Sequence, residues 1–181
     1  MAEDLLHLGK LNFRSRLFVG TGKYASYELM QQCLDASGCQ VVTVAVRRER
    51  LYDDQKRSLL DFIDTSRYTI LPNTAGCHTV KEAVTTAHMA REVFGTPWIK
   101  LELIGHTDSL QPDVFGLVEA ARILTEEVAN GAYSCVMHCF SSGARLAGAA
   151  LDLAAVEHPQ AVLDIHLAYL AAGAEVIDTA T

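Results

Sequence analysis

Residues 98–105 read Trp98-Ile99-Lys100-Leu101-Glu102-Leu103-Ile104-Gly105, and the two charges in this otherwise apolar run decide the fold. The aromatic and branched side chains suit a strand over residues 98–104. Side chains alternate across a strand, so Lys100 and Glu102 share one face while Ile99, Leu101 and Leu103 share the other. An aliphatic set on one face would pack under helices. The charged set on the opposite face is what a barrel interior often requires.

On either side, short β-rich runs alternate with segments of helical period. Strands are expected over residues 16–20 (RLFVG) and 40–46 (QVVTVAV), with a helix over 26–37 between them. Gly38 suits its C-cap, because glycine enters the left-handed region freely. A short helix is expected over 58–66, then a strand over 68–71 closed by Pro72. Val80, Ala83, Val84, Ala87, Met89 and Ala90 mark a helix over 79–94 that Gly95 and Pro97 end. Val114, Leu117, Val118, Ala121 and Leu124 mark another over 113–129. A strand over 132–140, helices over 144–156 and 160–172, and a strand over 175–179 complete the series.

Repeated strand–helix order with short connections implies a parallel sheet, because parallel neighbours need crossovers. No GxGxxG or P-loop follows the first strand, which removes the usual nucleotide-binding sign of an open doubly wound sheet. The expected fold class is therefore α/β, a TIM-barrel-like (β/α) domain over residues 1–181. It holds about six parallel strands where a full barrel has eight. Two helices in succession near residue 158 break the rhythm, so the barrel reads as incomplete or rearranged.

Composition excludes other classes. Half the 181 residues are hydrophobic and a fifth are charged, which is globular. The net charge of −7 argues against a general nucleic-acid binder. Arg47, Arg48 and Arg50 form the local basic run, read as a solvated strand end. Five cysteines, at 33, 39, 77, 135 and 139, contain no CxxC. Their odd number speaks for reduced thiols in the cytoplasm rather than a disulfide framework. The N-terminus has no signal-peptide pattern, and no run approaches the ~18 apolar residues of a membrane span. No metal, no cofactor, no nucleic acid and no membrane is expected as a partner.

An interior lysine is costly to keep charged, and desolvation makes it a nucleophilic amine near neutral pH. Such an amine attacks a ketone or aldehyde to form a Schiff base. A carboxylate ~7 Å along the strand can shuttle the protons of imine formation and enolisation. A structural Lys–Glu pair plugging a barrel would show the same pattern, and these residues alone do not separate the two.

In order and spacing, RLFVGTGKYAS (16–26), VVTVAVRR (41–48), YTILPNTAG (68–76), KEAVTTAHMAREVFG (81–95), WIKLELIG (98–105) and SLQPD (109–113) resemble bacterial thiazole synthase of thiamin biosynthesis, over residues 11–127. The resemblance implies a (β/α) barrel transferase that condenses 1-deoxy-D-xylulose 5-phosphate, dehydroglycine and a sulfur-carrier protein bearing a C-terminal thiocarboxylate. It implies that Lys100 forms the imine with the pentulose ketone and that Glu102 acts in acid/base steps. Gly20, Thr21 and Gly22 are candidates for substrate binding, since glycines let backbone approach a ligand; a plain strand-to-helix turn is the alternative. Asn73 and Thr74 are candidates at a strand end, where barrel enzymes place functional loops. Their alternative is a helix N-cap, by Thr74 or Thr79. His88 reads as a surface or packing residue and His106 as a loop residue.

After residue 130 the sequence departs from that family. The segment around SCVMHCFSS and ARLAGAALDL (133–153) resembles a strand–helix unit of TatD-type metal-dependent deoxyribonucleases. EHPQAVLDIHLAYLAAGAEVIDTAT, within 154–181, resembles part of homocysteine S-methyltransferases. The chain thus reads as a mosaic or chimera, a thiazole-synthase-like part over 1–130 and a divergent tail over 131–181. His138 lacks partner ligands, and a metal site wants three or four that converge. Two function classes follow: a thiazole-synthase-like enzyme with activity reduced or lost, or a non-catalytic chimeric barrel scaffold. An open sheet exposes an edge and an apolar interior, which pairing into a homo-oligomer would cover.

Overall fold

Apolar alternation and capping residues set the element order in the computed structural model, which describes residues 5–8, 10–47, 56–108, 110–128, 134–138, 160, 167, 171 and 174–178. The elements are β1 (Leu6–Leu8), β2 (Leu11–Phe13), β3 (Phe18–Gly20), α1 (Tyr27–Ser37), β4 (Val41–Ala45), a 3-10 turn (Leu59–Phe62), β5 (Thr69–Asn73), α2 (Val80–Phe94), β6 (Trp98–Leu101), α3 (Val114–Val128), β7 (Ser134–His138) and β8 (Ala174–Asp178). Ser26 caps α1 by accepting from the Leu29 N–H, and Gly38 closes it at φ 67°. Thr79 caps α2 by accepting from the Glu82 N–H, and Gly95 ends it.

Strands β3 to β8 form one sheet in chain order, every neighbouring pair parallel. Right-handed crossovers between strands laid down in order put successive helices on one face of the sheet. A doubly wound sheet reverses its order instead. The fold is therefore an incomplete (β/α) barrel of six parallel strands among the described residues, in agreement with the reading of residues 98–105.

The two faces are packed differently. On the helix side, Ile99, Leu101 and Leu103 meet Ala83, Ala87 and Ala90 of α2 and Leu117, Ala120, Ala121 and Leu124 of α3. The alanines let the two helices approach closely, and burying each large aliphatic chain contributes about 1.5–3 kcal/mol. Val42, Val44 and Ile70 meet Met30 and Leu34 of α1 in the same way. On the inner face, Val41, Leu71 and Trp98 are covered by Leu8 and Phe13 of the antiparallel hairpin β1–β2. The Phe13 and Trp98 rings meet edge to face with centroids 5.9 Å apart. This hairpin was not expected; its sign in the sequence is the alternation Leu6, Leu8 and Leu11, Phe13 about Gly9-Lys10.

Three expected boundaries move. The helix over 58–66 shrinks to the 3-10 turn, opened by a reciprocal Ser58–Asp61 cap and followed by a turn in which Asp64 accepts from the Ser66 N–H. Pro72 does not close β5 but lies inside it, in register with Val44. A proline cannot donate to a ladder, and β5 is registered to β6 just beyond it, at Asn73↔Lys100. Strand β6 ends at Leu101 rather than at residue 104, for a reason that belongs to the site. The helix expected over 144–156 lies outside the described residues, and residues 160, 167 and 171 of the next are helical. Cys33, Cys39 and Cys77 are free, and among the described residues no helix is long and apolar enough to cross a membrane.

Gly116 tests whether packing or helix propensity governs α3. A methyl group there would lie 2.5 Å from Leu103 Cδ2 and 2.7 Å from Asp113 Oδ2. Leu103 is buried, and Asp113 Oδ1 already accepts from the Gly116 N–H at 2.9 Å. Propensity alone favours Gly116→Ala by about 1 kcal/mol. Overpacking reverses that sign, and chemical denaturation should show a loss of about 1–3 kcal/mol.

Tyr68 supplies a pH-dependent term. Its buried hydroxyl donates to Asp35 Oδ1 at 2.7 Å, and burial together with that carboxylate pushes the phenol up to about 12. An unfolded tyrosine ionises near about 10. The fold holds the proton more tightly, so this stabilisation is complete below the unfolded value and disappears as pH rises through the folded one. Between those two values the protein should lose stability more steeply than its Tyr68→Phe variant, as read from melting temperatures.

Candidate active site

Alternation along β6 places Lys100 and Glu102 on the inner face, two and four residues beyond Trp98, and opposite Ile99, Leu101 and Leu103. Lys100 Nζ stands 3.7 Å from Glu102 Oε1, and the two side chains are 19% and 23% exposed. The amine is thus withdrawn from bulk water beside an acid on its own side of the sheet. An ion pair and a proton-transfer pair share this geometry; the neighbouring groups decide what the pair can do.

Thr74 is the first of those neighbours. It is fully buried, its hydroxyl donates to the Glu102 carbonyl at 2.7 Å, and the Glu102 N–H donates back to Thr74 Oγ1 at 2.7 Å. The Thr74 N–H donates to the Lys100 carbonyl at 3.2 Å. One side chain therefore takes the place of a ladder partner for Glu102, which is why β6 stops at Leu101 while the chain stays extended enough to carry Glu102 inward. Thr74 is not the cap of α2, which is Thr79, and its hydroxyl is committed within the protein.

Asn73 is the second. It lies in register with Lys100 on the adjacent strand and is 7% exposed. Its Oδ1 accepts from the Ala75 N–H at 3.1 Å, forming a local turn at the end of β5.

The glycine-rich turn is placed elsewhere. Thr21 is buried, and both its N–H and its hydroxyl donate to the Thr43 carbonyl at 3.2 Å. A methyl group at Gly20 would sit 3.4 Å from Thr43 Oγ1, an ordinary contact, so no close approach demands glycine there. Gly22 is exposed in the turn that follows. Lys100, Glu102, Asn73 and Thr74 are thus brought together, whereas Gly20, Thr21 and Gly22 lie three strands from β6 in the sheet order.

The loop after β6 is closed by its own backbone hydrogen bonds. Gly105 and His106 both donate their N–H groups to the Gln111 carbonyl, at 2.7 and 3.2 Å. A methyl group at Gly105 would lie 2.9 Å from the Asp113 nitrogen, so glycine is required there. Sequence reading passed over this residue, because a lone glycine after a strand carries no sign of what it touches. His106 is exposed in the loop and His88 lies on α2. Arg47 lies exposed just past the end of β4, and from there reaches the Gly76 carbonyl at 3.3 Å, Cys77 Sγ at 3.5 Å and Glu82 at 3.4 Å. The His78 N–H, with Arg47 behind it, holds the Glu82 carboxyl below its usual range. A groove of ≈ 330 Å³ beside Arg47, Glu82 and Met89 contains none of Asn73, Thr74, Lys100 and Glu102. Among the described residues no three His, Cys, Asp or Glu side chains converge to hold a metal ion; the side chain of His138 lies outside them.

The profile of the family described as thiazole biosynthesis protein ThiG matches residues 7–136. A thiazole synthase of Ruegeria pomeroyi is 65% identical over 111 residues, which is 61% of this chain and 42% of that protein. A thiazole synthase of Aquifex aeolicus is 46% identical over 127 residues, 70% of this chain and 48% of that protein. The chain thus spans less than half the length of these relatives. The crystal structure of the Amycolatopsis orientalis BexX/CysO complex contains a chain with a TM-score of 0.65 and 25% identity, covering 95% of this chain and 60% of its own length.

Removing the Thr74 hydroxyl takes a partner from two part-buried backbone groups of Glu102. Thr74→Val should destabilise the protein by about 1–3 kcal/mol in urea denaturation. Thr74→Ser, which restores the hydroxyl, should recover most of that loss. A loss in Thr74→Ser as large as that in Thr74→Val would show that restoring the hydroxyl restores nothing, and that the bridge to Glu102 is not the stabilising contact.

Proposed function

Because the chain belongs to the ThiG family of thiazole biosynthesis proteins, we propose that it carries out thiazole-synthase chemistry on 1-deoxy-D-xylulose 5-phosphate, with Lys100 as the Schiff-base residue. The observation that carries this reading is the inner-face pair Lys100 and Glu102 at 3.7 Å. Lys100 gives a proton to Glu102 and the freed amine adds to the ketone carbon; transfer of a proton from nitrogen to oxygen gives the carbinolamine. Glu102 delivers the proton it received to the departing hydroxyl, water leaves, and the iminium forms. The Glu102 carboxylate then takes a proton from the adjoining carbon to give the enamine. Dehydroglycine and the thiocarboxylate of a sulfur-carrier protein complete the ring. A structural neighbour that is itself a complex with a second protein, CysO, supports a partner of that kind.

The site residues follow from the same reading. Lys100 and Glu102 are catalytic, and the strand ends at Gly20, Thr21 and Gly22 and at Asn73 and Thr74 rim the substrate pocket. Within that rim Thr21 and Thr74 act through the backbone they hold. The tail beyond residue 136, which the family profile does not cover, is read as barrel-derived sequence of the TatD and methyltransferase types within one domain. Strand β8, which continues the sheet, supports the one-domain part of that reading. A biosynthetic enzyme with free thiols at Cys33, Cys39 and Cys77 fits the cytoplasm.

Borohydride reduction in the presence of 1-deoxy-D-xylulose 5-phosphate tests the proposal. Mass spectrometry should find one adduct on Lys100, absent from Lys100→Ala. Glu102→Gln should form it about 10²-fold more slowly or worse, the usual contribution of a general acid–base group. Labelling scattered over surface lysines would instead identify a scaffold without catalytic function.

A further inference from the structure

We infer that Asn73 selects the sugar: its side-chain amide donates a hydrogen bond to an oxygen on the carbon next to the ketone that Lys100 attacks, so the site takes α-hydroxy ketones over plain ketones. The inference rests on the Schiff-base reading and adds a determinant of specificity and orientation to it.

The orientation of the amide is fixed by its surroundings. The Ala75 N–H donates to the side chain at 3.1 Å, and only the oxygen end can accept. The –NH2 end is therefore the free end, and among the described residues Nδ2 has no hydrogen-bond partner. The residue is only 7% exposed. Buried donors are nearly always paired, and leaving one unpaired is destabilising. A donor kept in that state calls for an acceptor that arrives with a ligand.

Its place says which ligand atom arrives. Leu71 and Trp98, two residues before Asn73 and Lys100, pack in the same inner cluster, so alternation puts both Asn73 and Lys100 on that face. The two are register partners on adjacent strands, about 4.8 Å apart in the hydrogen-bonding direction. Glu102 lies further along β6, so the amine has an acid on its own strand and an amide donor on the next. The hydroxyls of Thr21 and Thr74 are already committed to backbone carbonyls, which leaves Asn73 as the donor on β5 for a ligand held at Lys100. In a 1-deoxy ketose one neighbour of the carbonyl carbon is a methyl group and the other bears a hydroxyl. A donor beside the amine therefore also sets which way round the sugar lies.

The test compares borohydride trapping at Lys100 with 1-deoxy-D-xylulose 5-phosphate and with its 3-deoxy analogue, in the full chain and in Asn73→Asp. An aspartate keeps the oxygen that the Ala75 N–H needs and removes the donors. Wild type should prefer the 3-hydroxy sugar about tenfold or more, and Asn73→Asp should bring the ratio close to one. Each ratio compares two sugars on one protein, so a change in the reactivity of Lys100 divides out. Asn73→Ser, which keeps a turn acceptor in a shorter side chain, gives the same readout should the aspartate variant fold poorly. A wild-type ratio near one, or a ratio retained in the variants, overturns the inference while leaving the Schiff base in place. If no Lys100 adduct forms, the Schiff-base reading fails. Calorimetric affinities of wild type and Asn73→Asp for the same two sugars then decide the role of Asn73 alone: a hydroxyl preference lost in the variant supports it, and equal affinities overturn it.

Discussion

Parallel strands β5 and β6 meet beside a proline, and the edge of the sheet at that point depends on the hydroxyl of Thr74. Pro72 has no N–H, and the registered pairing is at Asn73↔Lys100. Beyond it the ladder would fray, because β5 turns away toward α2. The Thr74 hydroxyl, donating to and accepting from the backbone of Glu102, extends the pairing by one more residue without a strand partner. Further on, the Ile104 N–H donates to the Cys77 carbonyl at 2.8 Å and Leu103 is buried, so the Thr74 bridge holds the one residue between, Glu102, in its local orientation. The approach of the acid to the amine is therefore a property of β5 as much as of β6.

The inner face changes character along the strands. Near their N-terminal ends it is apolar, with Val41, Leu71 and Trp98 under the hairpin residues Leu8 and Phe13. Towards their C-terminal ends it carries Thr43, Asn73, Lys100 and Glu102. Burial of aromatic and aliphatic surface under the hairpin provides stabilisation that polar groups at the other end do not. It also removes water from beneath the polar layer. This division, stability below and chemistry above, is what parallel barrels allow, because all strands end at the same rim.

How much of this was legible in the sequence depended on whether the signal was local. The two faces of residues 98–105 follow from a period of two, so the partition of Lys100 and Glu102 from Ile99, Leu101 and Leu103 could be read directly. The helices α1 and α2 were legible to within a residue because Ser26, Gly38, Thr79 and Gly95 mark their ends. The end of β5 was misread because proline usually interrupts a strand, and whether it does so depends on which neighbour its missing N–H faces. The roles of Thr21 and Thr74 were hidden for a similar reason. A threonine at a strand end has the same composition whether its hydroxyl meets a ligand or a backbone carbonyl one strand away. The hairpin β1–β2 was passed over because three-residue strands acquire meaning only from the Trp98 and Leu71 that they cover.

Reactivity and anchoring have different reach in this architecture. The neighbours of Lys100 include Glu102 on β6, Asn73 in register on β5, and Thr74, whose N–H donates to the Lys100 carbonyl. All of these lie within residues 7–136, the part shared with the family. Holding a phosphate at the far end of a sugar is a longer-range task, which barrel enzymes commonly assign to loops after their last strands. The sequence beyond residue 136 lies outside the family match, yet β8 pairs with β7, the strand next to β6; on the Schiff-base proposal, changes there would bear on how squarely a sugar is held. Positioning is itself a large part of catalysis, since an amine that is reactive but poorly aligned loses the advantage of an intramolecular step. On that proposal a short-range donor such as Asn73 would matter more as distal anchoring weakens, because it would orient the sugar at Lys100 without reference to the phosphate.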